Sequence, residues 1–426
     1  MPRGNSSISV RGLSQTTCCI ANHHSIARWS VLMEDNWIPF HRPSIGQDEI
    51  LAVREVLESR WLTTGPVTQR FEREFASFVE CKYAVAVNSC TAALHLALDA
   101  IGITAGDEVL VPSYTFAATA GVVTYRGGRP VLCDSLPGGF NIDPVDAARR
   151  ITPRTRAIIA VHIAGEPCNL EALRQLAKHH SIHLIEDAAH ALPASYAGRR
   201  VGSISELTAF SFYATKTITT AEGGMLTTND EAHARRASMM RLHGISGDAW
   251  KRYSNTGSWY YEIADAGFKS NMPDLLAAVG LAQLKKATAF HLRRREIAEL
   301  YLRKLSGIEE LEMPPTGDRN TVHSWHLFIL RLRPGMLAAG RNDLVQQLKQ
   351  AGIGTSVHFI PLHLHPYYRD RYGYRCGDFP HAEDAFSRCI SLPIYPDMNE
   401  TNVQRVTTAV EQFVQKNCRR LPVCAD

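Results

Sequence analysis

The sequence predicts an α/β fold, a mostly parallel sheet carrying a large domain with a smaller α+β domain after it. Three observations support this. Short apolar runs alternate with helical stretches from Ala84 to Thr227, and a β-α-β-α order makes parallel sheets. The chain has 426 residues, too many for one ordinary core. A long helical stretch, Asp274 to Leu305, then leads to a C-terminal part with a strand and helix of its own.

Taken in order, an amphipathic helix is expected over Asp48 to Leu57 and a second over Gln69 to Val79, where apolar residues recur at helical spacing. Strands are expected at Ala84 to Val87, Glu108 to Val111, Ala157 to Val161, His183 to Ile185, Thr208 to Phe212 and Met225 to Thr227. The helices Ala92 to Ile101 and Leu170 to His179 lie between them. Parallel sheets do their chemistry beyond the carboxyl ends of the strands. A strand around His326 to Leu332 and a helix over Asn342 to Ala351 belong to the smaller unit. This sets the large domain at 33–275 and the small one at 276–426. Residues 1–32 contain no Asp or Glu and show no sustained periodicity, so they read as a loose or mis-called leader outside the core.

Composition narrows the function. The net charge of +4 is small for this length, and the basic run Arg293-Arg294-Arg295 reads as a solvated helix face rather than a nucleic-acid patch. The ten cysteines form no Cys-x-x-Cys, which suits reduced thiols in a cytoplasm. No apolar run reaches the roughly 18 residues of a membrane helix. Neither a nucleic-acid nor a membrane partner is expected.

Three loops at strand ends carry reactive groups. The first is Asn88-Ser89-Cys90-Thr91, which runs into a helix whose free N–H groups and added Ser89 and Thr91 hydroxyls suit a phosphate. Alone, it reads more simply as ordinary helix capping. In the second, the strand Ile182 to Ile185 ends on Glu186-Asp187, with His190 three residues on. One acid there suits a protonated ring nitrogen. The third loop, Ser211 to Gly224, holds Lys216 among apolar and aromatic neighbours, where an ammonium loses its proton more readily and the amine becomes a nucleophile. Each feature alone is weak. Together they offer the anion seat, the acid and the amine that pyridoxal phosphate needs.

At these residues the chain resembles the DegT/DnrJ/EryC/StrS family of sugar aminotransferases, which share the aspartate-aminotransferase fold (fold type I of the pyridoxal-phosphate enzymes). The resemblance runs from about Ile38 to Phe413 and includes Trp61-Leu62-Thr63-Thr64-Gly65-Pro66, Pro112-Ser113-Tyr114-Thr115-Phe116, Glu186 to His190, Ser211 to Gly224, Asn271-Met272-Pro273-Asp274 and Gly352 to His358. It implies that Lys216 bonds the cofactor's aldehyde and then moves the proton, and that Asp187 holds the pyridinium. Phe116 would stack on the ring and His190 would partner the phenolic oxygen. The phosphate would sit on the backbone at Ser89, Cys90 and Thr91 and on the Ser211 hydroxyl. Lys269 would reach the phosphate of a partner subunit, so the resemblance also implies a homodimer with shared sites. Thr64, Tyr213 and His358 fall near the substrate.

The same resemblance implies transfer of an amino group from L-glutamate to a keto carbon, C4 over C3, of a nucleotide-linked deoxy sugar, in polysaccharide or antibiotic sugar biosynthesis. Cys90 and Ala221 stand where the family has Gly, and Pro193 where Gly is frequent; all three bear on loop shape rather than on a reacting group. A keto-cyclitol acceptor is the rival substrate. A dehydratase of the family would carry His in place of Lys216. A DNA-binding regulator would need a helix-turn-helix pattern that is not evident. The cluster His358, His363 and His365 has no helical ligand spacing, so no metal is expected.

Overall fold

The computed structural model describes residues 36–246, 260–317 and 320–419; the leader expected at 1–32 lies outside the described residues. Strand and helix alternate as the sequence implies. The elements begin α1 (Gln47–Ser59), α2 (Pro66–Phe78), β1 (Tyr83–Val87), α3 (Cys90–Ala100), β2 (Glu108–Pro112), α4 (Ala117–Tyr125), β3 (Arg129–Cys133), α5 (Pro144–Arg150) and β4 (Thr155–Val161). They continue with α6 (Leu170–His180), β5 (His183–Asp187), a small hairpin of β6 (Ser195–Tyr196) and β7 (Arg199–Arg200), β8 (Leu207–Ser211), β9 (Gly224–Thr228) and α7 (Glu231–Met240). The 32-residue α8 (Asp274–Leu305) follows.

Seven strands form the main sheet in the order β1-β9-β8-β5-β4-β2-β3. The pairs from β8 through β3 are parallel, whereas β9 runs antiparallel to both β1 and β8. Side chains alternate between two buried faces. Val85, Val87, Val109, Val111, Ile159, Val161, Ile185 and Leu207 point to the face covered by α3 and α4. Their neighbours Leu110, Ile158, Ala160 and Leu184 pack on α6, and Ala86, Phe210 and Met225 pack on Phe71 and Phe75 of α2 and on α8. Being covered on both faces is why these strands read as continuous apolar runs. It also decides the direction of Glu186 and Asp187, adjacent residues on β5 that project to opposite faces.

The second sheet is antiparallel, in the order β10 (Leu311–Glu312), β11 (Phe328–Leu332), β12 (Cys389–Leu392). Phe328, Leu330, Ile390 and Leu392 pack against Ile297, Tyr301 and Leu305 of α8, with α9 (Arg341–Gln350) and α12 (Glu400–Asn417) closing the core. The short helices α10 (Pro366–Tyr372) and α11 (Pro380–Arg388) lie between α9 and β12 in the chain. The expectation of a solvated Arg293-Arg294-Arg295 face fails at its middle member. Successive helix residues point about 100° apart, so three in a row cannot share a face. Arg293 and Arg295 keep solvent contact, while Arg294 is fully buried and its Nη1 donates to the carbonyls of Trp325, His326 and Ile394.

Candidate active site

A cavity of about 570 Å³ opens at the carboxyl ends of β1, β2, β4, β5 and β8, within the range of small-molecule sites. All three loops singled out in the sequence reach it. Ser89, Cys90 and Thr91 line it from the start of α3, Asp187 and His190 from the end of β5, and Ser211, Tyr213 and Lys216 from the loop after β8. Phe116 and His358 complete the set of expected lining residues.

The turn before α3 is shaped to take an anion. Ser89 Oγ accepts from Ala92 N–H at 3.1 Å and so caps the helix, which leaves the first N–H groups, at Cys90 and Thr91, on the cavity side of the turn. The start of β9 comes very close here. A Cβ on Gly224 would lie 2.5 Å from Ser89 C and O and 2.6 Å from Cys90 N, so only glycine fits. The sequence offered phosphate seat and capping as competing readings; Ser89 caps, and the N–H groups beyond it are what a phosphate would meet.

Asp187 is buried, and burial pushes its carboxyl above the usual carboxylate range against the pull of its hydrogen bonds. Its Oδ2 accepts from Thr119 Oγ1 at 2.9 Å and its Oδ1 from Ala189 N–H at 3.2 Å. Its neighbour Glu186 projects away from the cavity. His162 Nε2–H donates to Glu186 Oε2 at 2.8 Å, and His162 Nδ1 accepts from Cys168 N–H at 3.0 Å, which orients the ring toward Glu186. Burial works against the Glu186 charge, but His162 and Ser205 outweigh it and hold the carboxyl below its usual range. One acid of the pair therefore braces the sheet and the other faces the site.

Burial brings the Lys216 ammonium down to about 8, with Cys90 and Asp187 opposing the shift. Imidazoles surround it. Burial first and then Lys216 depress His190, and His358 is brought to about 4 by the same two causes in the same order. Burial also takes His41 to about 3, with Arg294 next in effect. The rings of His190 and His326 lie 4.3 Å apart, and Nδ1 of each is buried without a hydrogen-bond partner. A buried polar atom costs free energy until something meets it. An anion seat, an acid, an amine and unmet imidazole nitrogens around one cavity fit pyridoxal phosphate.

Two expected residues stand apart from this cavity. Lys269 Nζ donates to Asn271 Oδ1, Asn271 Nδ2 donates to Thr64 Oγ1 at 2.6 Å, and Thr64 Oγ1 donates to Met272 O at 2.6 Å. Thr64 and Lys269 thus form a group of their own and do not line the cavity of their own chain. In the C-terminal loop, His358 Nδ1 lies 2.9 Å from Ser391 Oγ at the cavity wall. Both nitrogens of His363 are engaged, Nδ1 with Ser113 Oγ at 2.7 Å and Nε2 with Glu383 Oε1 at 2.8 Å. Among the described residues no group of three or more His, Cys, Asp or Glu is placed to hold a metal.

Sequence reasoning missed Phe40, His41, Thr115, Thr119, His326 and Phe359. Phe40 and His41 arrive from the start of the described chain because Ile38 N–H donates to Gly352 O and Gly354 N–H to Ile38 O, each at 2.8 Å. His41 Nε2–H then donates to Ala214 O at 3.0 Å, two residues before Lys216. His326 is delivered by the small sheet's approach to the 163–165 turn, where Ser324 Oγ donates to His190 O at 2.5 Å. The motif containing Thr115 was visible; nothing in the sequence marked Thr119.

Comparison with known proteins agrees with this geometry. Residues 43–411 match the model of the DegT/DnrJ/EryC1/StrS aminotransferase family. The spore coat polysaccharide biosynthesis protein SpsC of Bacillus subtilis is 47% identical over 386 residues, 90% of this chain and 99% of that protein. Among solved structures, the aminotransferase TlmJ from Streptoalloteichus hindustanus superposes with a TM-score of 0.81 at 32% identity, covering 89% of this chain and 99% of its own. The sugar aminotransferase CalS13 from Micromonospora echinospora gives 0.79 at 28% identity, over 88% of this chain and 99% of its own. This chain belongs to the DegT/DnrJ/EryC1/StrS aminotransferase family and is a pyridoxal-phosphate-dependent aminotransferase of fold type I.

Proposed function

We propose that the enzyme moves an amino group from L-glutamate to a keto carbon, at C4, of a nucleotide-linked deoxy sugar. The observation that carries the aminotransferase chemistry is the placement of Lys216, with an ammonium brought to about 8, in the same cavity as the buried Asp187. The participation of SpsC in spore coat polysaccharide biosynthesis and the description of CalS13 as a sugar aminotransferase support a sugar acceptor. A nucleotide linkage and C4 rest on the family resemblance.

When bound, pyridoxal phosphate supplies an aldehyde to bond an amine and a protonated ring to take up electron density. Lys216 Nζ, as a neutral amine, would bond that aldehyde with release of water, and its free amine would carry the proton between the amino-acid carbon and the cofactor. Asp187, as a carboxylate, would accept the N–H of the protonated ring nitrogen. Buried His190 would meet the phenolic oxygen, and the Phe116 ring would cover one face. The N–H groups of Cys90 and Thr91, with the hydroxyls of Ser89 and Ser211, take the phosphate. Burial favours the neutral form of the imidazoles of His190, His326 and His358. Tyr213 and His358 stand at the mouth for the substrate.

The large domain, 33–275, carries the cofactor groups, and the small domain, 276–426, supplies His326 and His358. Thr64 and Lys269 serve a second subunit's cavity, which makes the active unit a homodimer in the cytoplasm. No helix among the described residues is long and apolar enough to cross a membrane. The test is to incubate the loaded enzyme with glutamate and a panel of keto-sugar nucleotides and keto-cyclitols and to read products by mass spectrometry. Amino-sugar nucleotide is expected. Amination of the cyclitols alone would overturn the assigned acceptor.

A further inference from the structure

We propose that Thr119 is a positioning residue for Asp187, and that Thr115 and Thr119 form a one-way chain of hydroxyl groups fixing the carboxylate that would face the ring nitrogen of the cofactor. The proposal rests on the reading of Asp187 given above. It concerns two residues to which neither the family resemblance nor the sequence gave a part.

The proton positions follow from the partners. A carboxylate accepts only, so Thr119 spends its single hydroxyl proton on Asp187 Oδ2, 2.9 Å away. Thr115 Oγ1 lies 2.9 Å from Thr119 Oγ1, and with that proton spent Thr115 must be the donor. The chain is therefore polarised toward Asp187, and each bond strengthens the next. On the other side, Ala189 N–H donates to Oδ1 at 3.2 Å. Held at both oxygens, the carboxylate plane cannot turn, and each oxygen keeps an acceptor direction for a donor in the cavity.

The hydroxyl of Thr119 is not spent on its own helix. Thr124, also on α4, turns its hydroxyl back to Ala120 O at 3.4 Å, as helical threonines commonly do. Thr119, in the first turn of the helix, turns its hydroxyl to the carboxylate instead. Thr115 and Thr119 are both buried, so no solvent replaces a hydroxyl that is removed. Thr115 also lines the cavity next to Phe116, so the chain links the segment that carries Phe116 to Asp187. Of the hydrogen bonds favouring the charged form of Asp187, that from Thr119 is the largest, ahead of Ala189 N–H; Lys216 on the loop after β8 and His162 after β4 act in the same sense, and the Cys90 thiol of α3 lies 3.9 Å from Oδ1.

The test uses Thr119→Val, which exchanges the hydroxyl for a methyl of similar size, Thr119→Ser, which restores it, and Thr115→Val, one link further back. In the cofactor-free full chain carrying carbon-13 aspartate, the Asp187 carboxyl is titrated by NMR. Thr119→Val should make it a weaker acid by about 10- to 100-fold, the worth of a hydrogen bond to a buried charge. Thr119→Ser should return it to wild type, and Thr115→Val should move it the same way by less. In the loaded proteins Thr119→Val should lower kcat at least about tenfold, with KM for glutamate changing much less. Borohydride trapping of the cofactor at Lys216 is measured beside these. If trapping fails in the wild type, the functional reading falls while the NMR titration still judges Thr119. If trapping succeeds and the titration is unmoved in Thr119→Val, the inference is overturned. Should Thr119→Val not fold, a serine variant unlike wild type or an unshifted Thr115→Val would overturn it equally.

Discussion

The protonation of Lys216 can be read directly as the pH dependence of cofactor attachment. Only the neutral amine bonds the aldehyde. With the ammonium at about 8, about one Lys216 in ten is neutral at pH 7, against roughly one in three thousand for a lysine at the ordinary 10.5, a gain of about 300-fold. Cofactor-free protein is mixed with pyridoxal phosphate at a series of pH values, quenched with borohydride at timed intervals, and peptide-mapped for label at Lys216. The rate should rise with pH through a midpoint near 8 and then level off. Asp187→Asn removes a negative charge that favours the ammonium, so its midpoint should fall below the wild-type value even though the variant holds the ring poorly. Stability gives an independent check of sign. Because the folded pKa lies below the unfolded one, the unfolded chain binds more protons between about 8 and 10.5, and the cofactor-free protein should gain stability as pH rises through that window. Lys216→Met should lack that gain. A rate midpoint near 10, label concentrated at another lysine, or an upward shift in Asp187→Asn would refute the account.

Three further outcomes are expected. Gly165 has φ +96°, and a Cβ there would sit 1.8 Å from Ser324 Oγ and 2.7 Å from His190 O, so Gly165→Ala should cost about 2–4 kcal/mol in urea unfolding and weaken cofactor retention; an unchanged midpoint would show that the 324–326 segment yields freely. Ala221 has φ +67°, and Ala221→Gly should relieve left-handed strain and stabilise by about 0.5–1 kcal/mol after the entropy glycine adds to the unfolded chain; a lower melting temperature would contradict this. For shared sites, mixing Lys216→Ala subunits with Lys269→Ala subunits should restore activity through the one intact cavity of each heterodimer, and well-mixed heterodimers without recovery would count against a second subunit's role.

How much was legible in the sequence depended on whether a group's neighbours in space were also its neighbours in the chain. Asp187 ends an apolar strand and Lys216 follows one by a short loop, so the strand alone aimed them at the carboxyl edge of the sheet. Strand β3 escaped because Pro130 breaks the pattern of a paired strand. It is tolerated because β3 is the last strand of the sheet, where one side needs no N–H donor. Helix α4 escaped for a different reason: Ala117 to Tyr125 is rich in small and β-branched residues and contains Gly121, a poor helix signal overridden by burial against α3 and the sheet. Helix α12 was readable and was missed, since Asn399 caps a segment with Val403, Val406, Val410 and Phe413 at helical spacing.

The parts of the site that no spacing revealed are those brought by distant segments. Phe40 and His41 reach the cavity only because Ile38 bridges to Ile353, and His326 only because Gly165 leaves room for Ser324 against His190. Such contacts follow from packing the small sheet onto the large one, which a linear pattern does not encode. They carry a functional consequence as well. His326 stands two residues before β11 of the small sheet and His190 three residues after β5 of the large one, and their imidazoles lie against each other with Nδ1 of both buried and unmet. Any motion between the sheets during turnover therefore changes the surroundings of the group assigned to the phenolic oxygen. A substitution that loosens the Gly165–Ser324 contact should thus disturb the spectrum of the bound cofactor before it unfolds the protein.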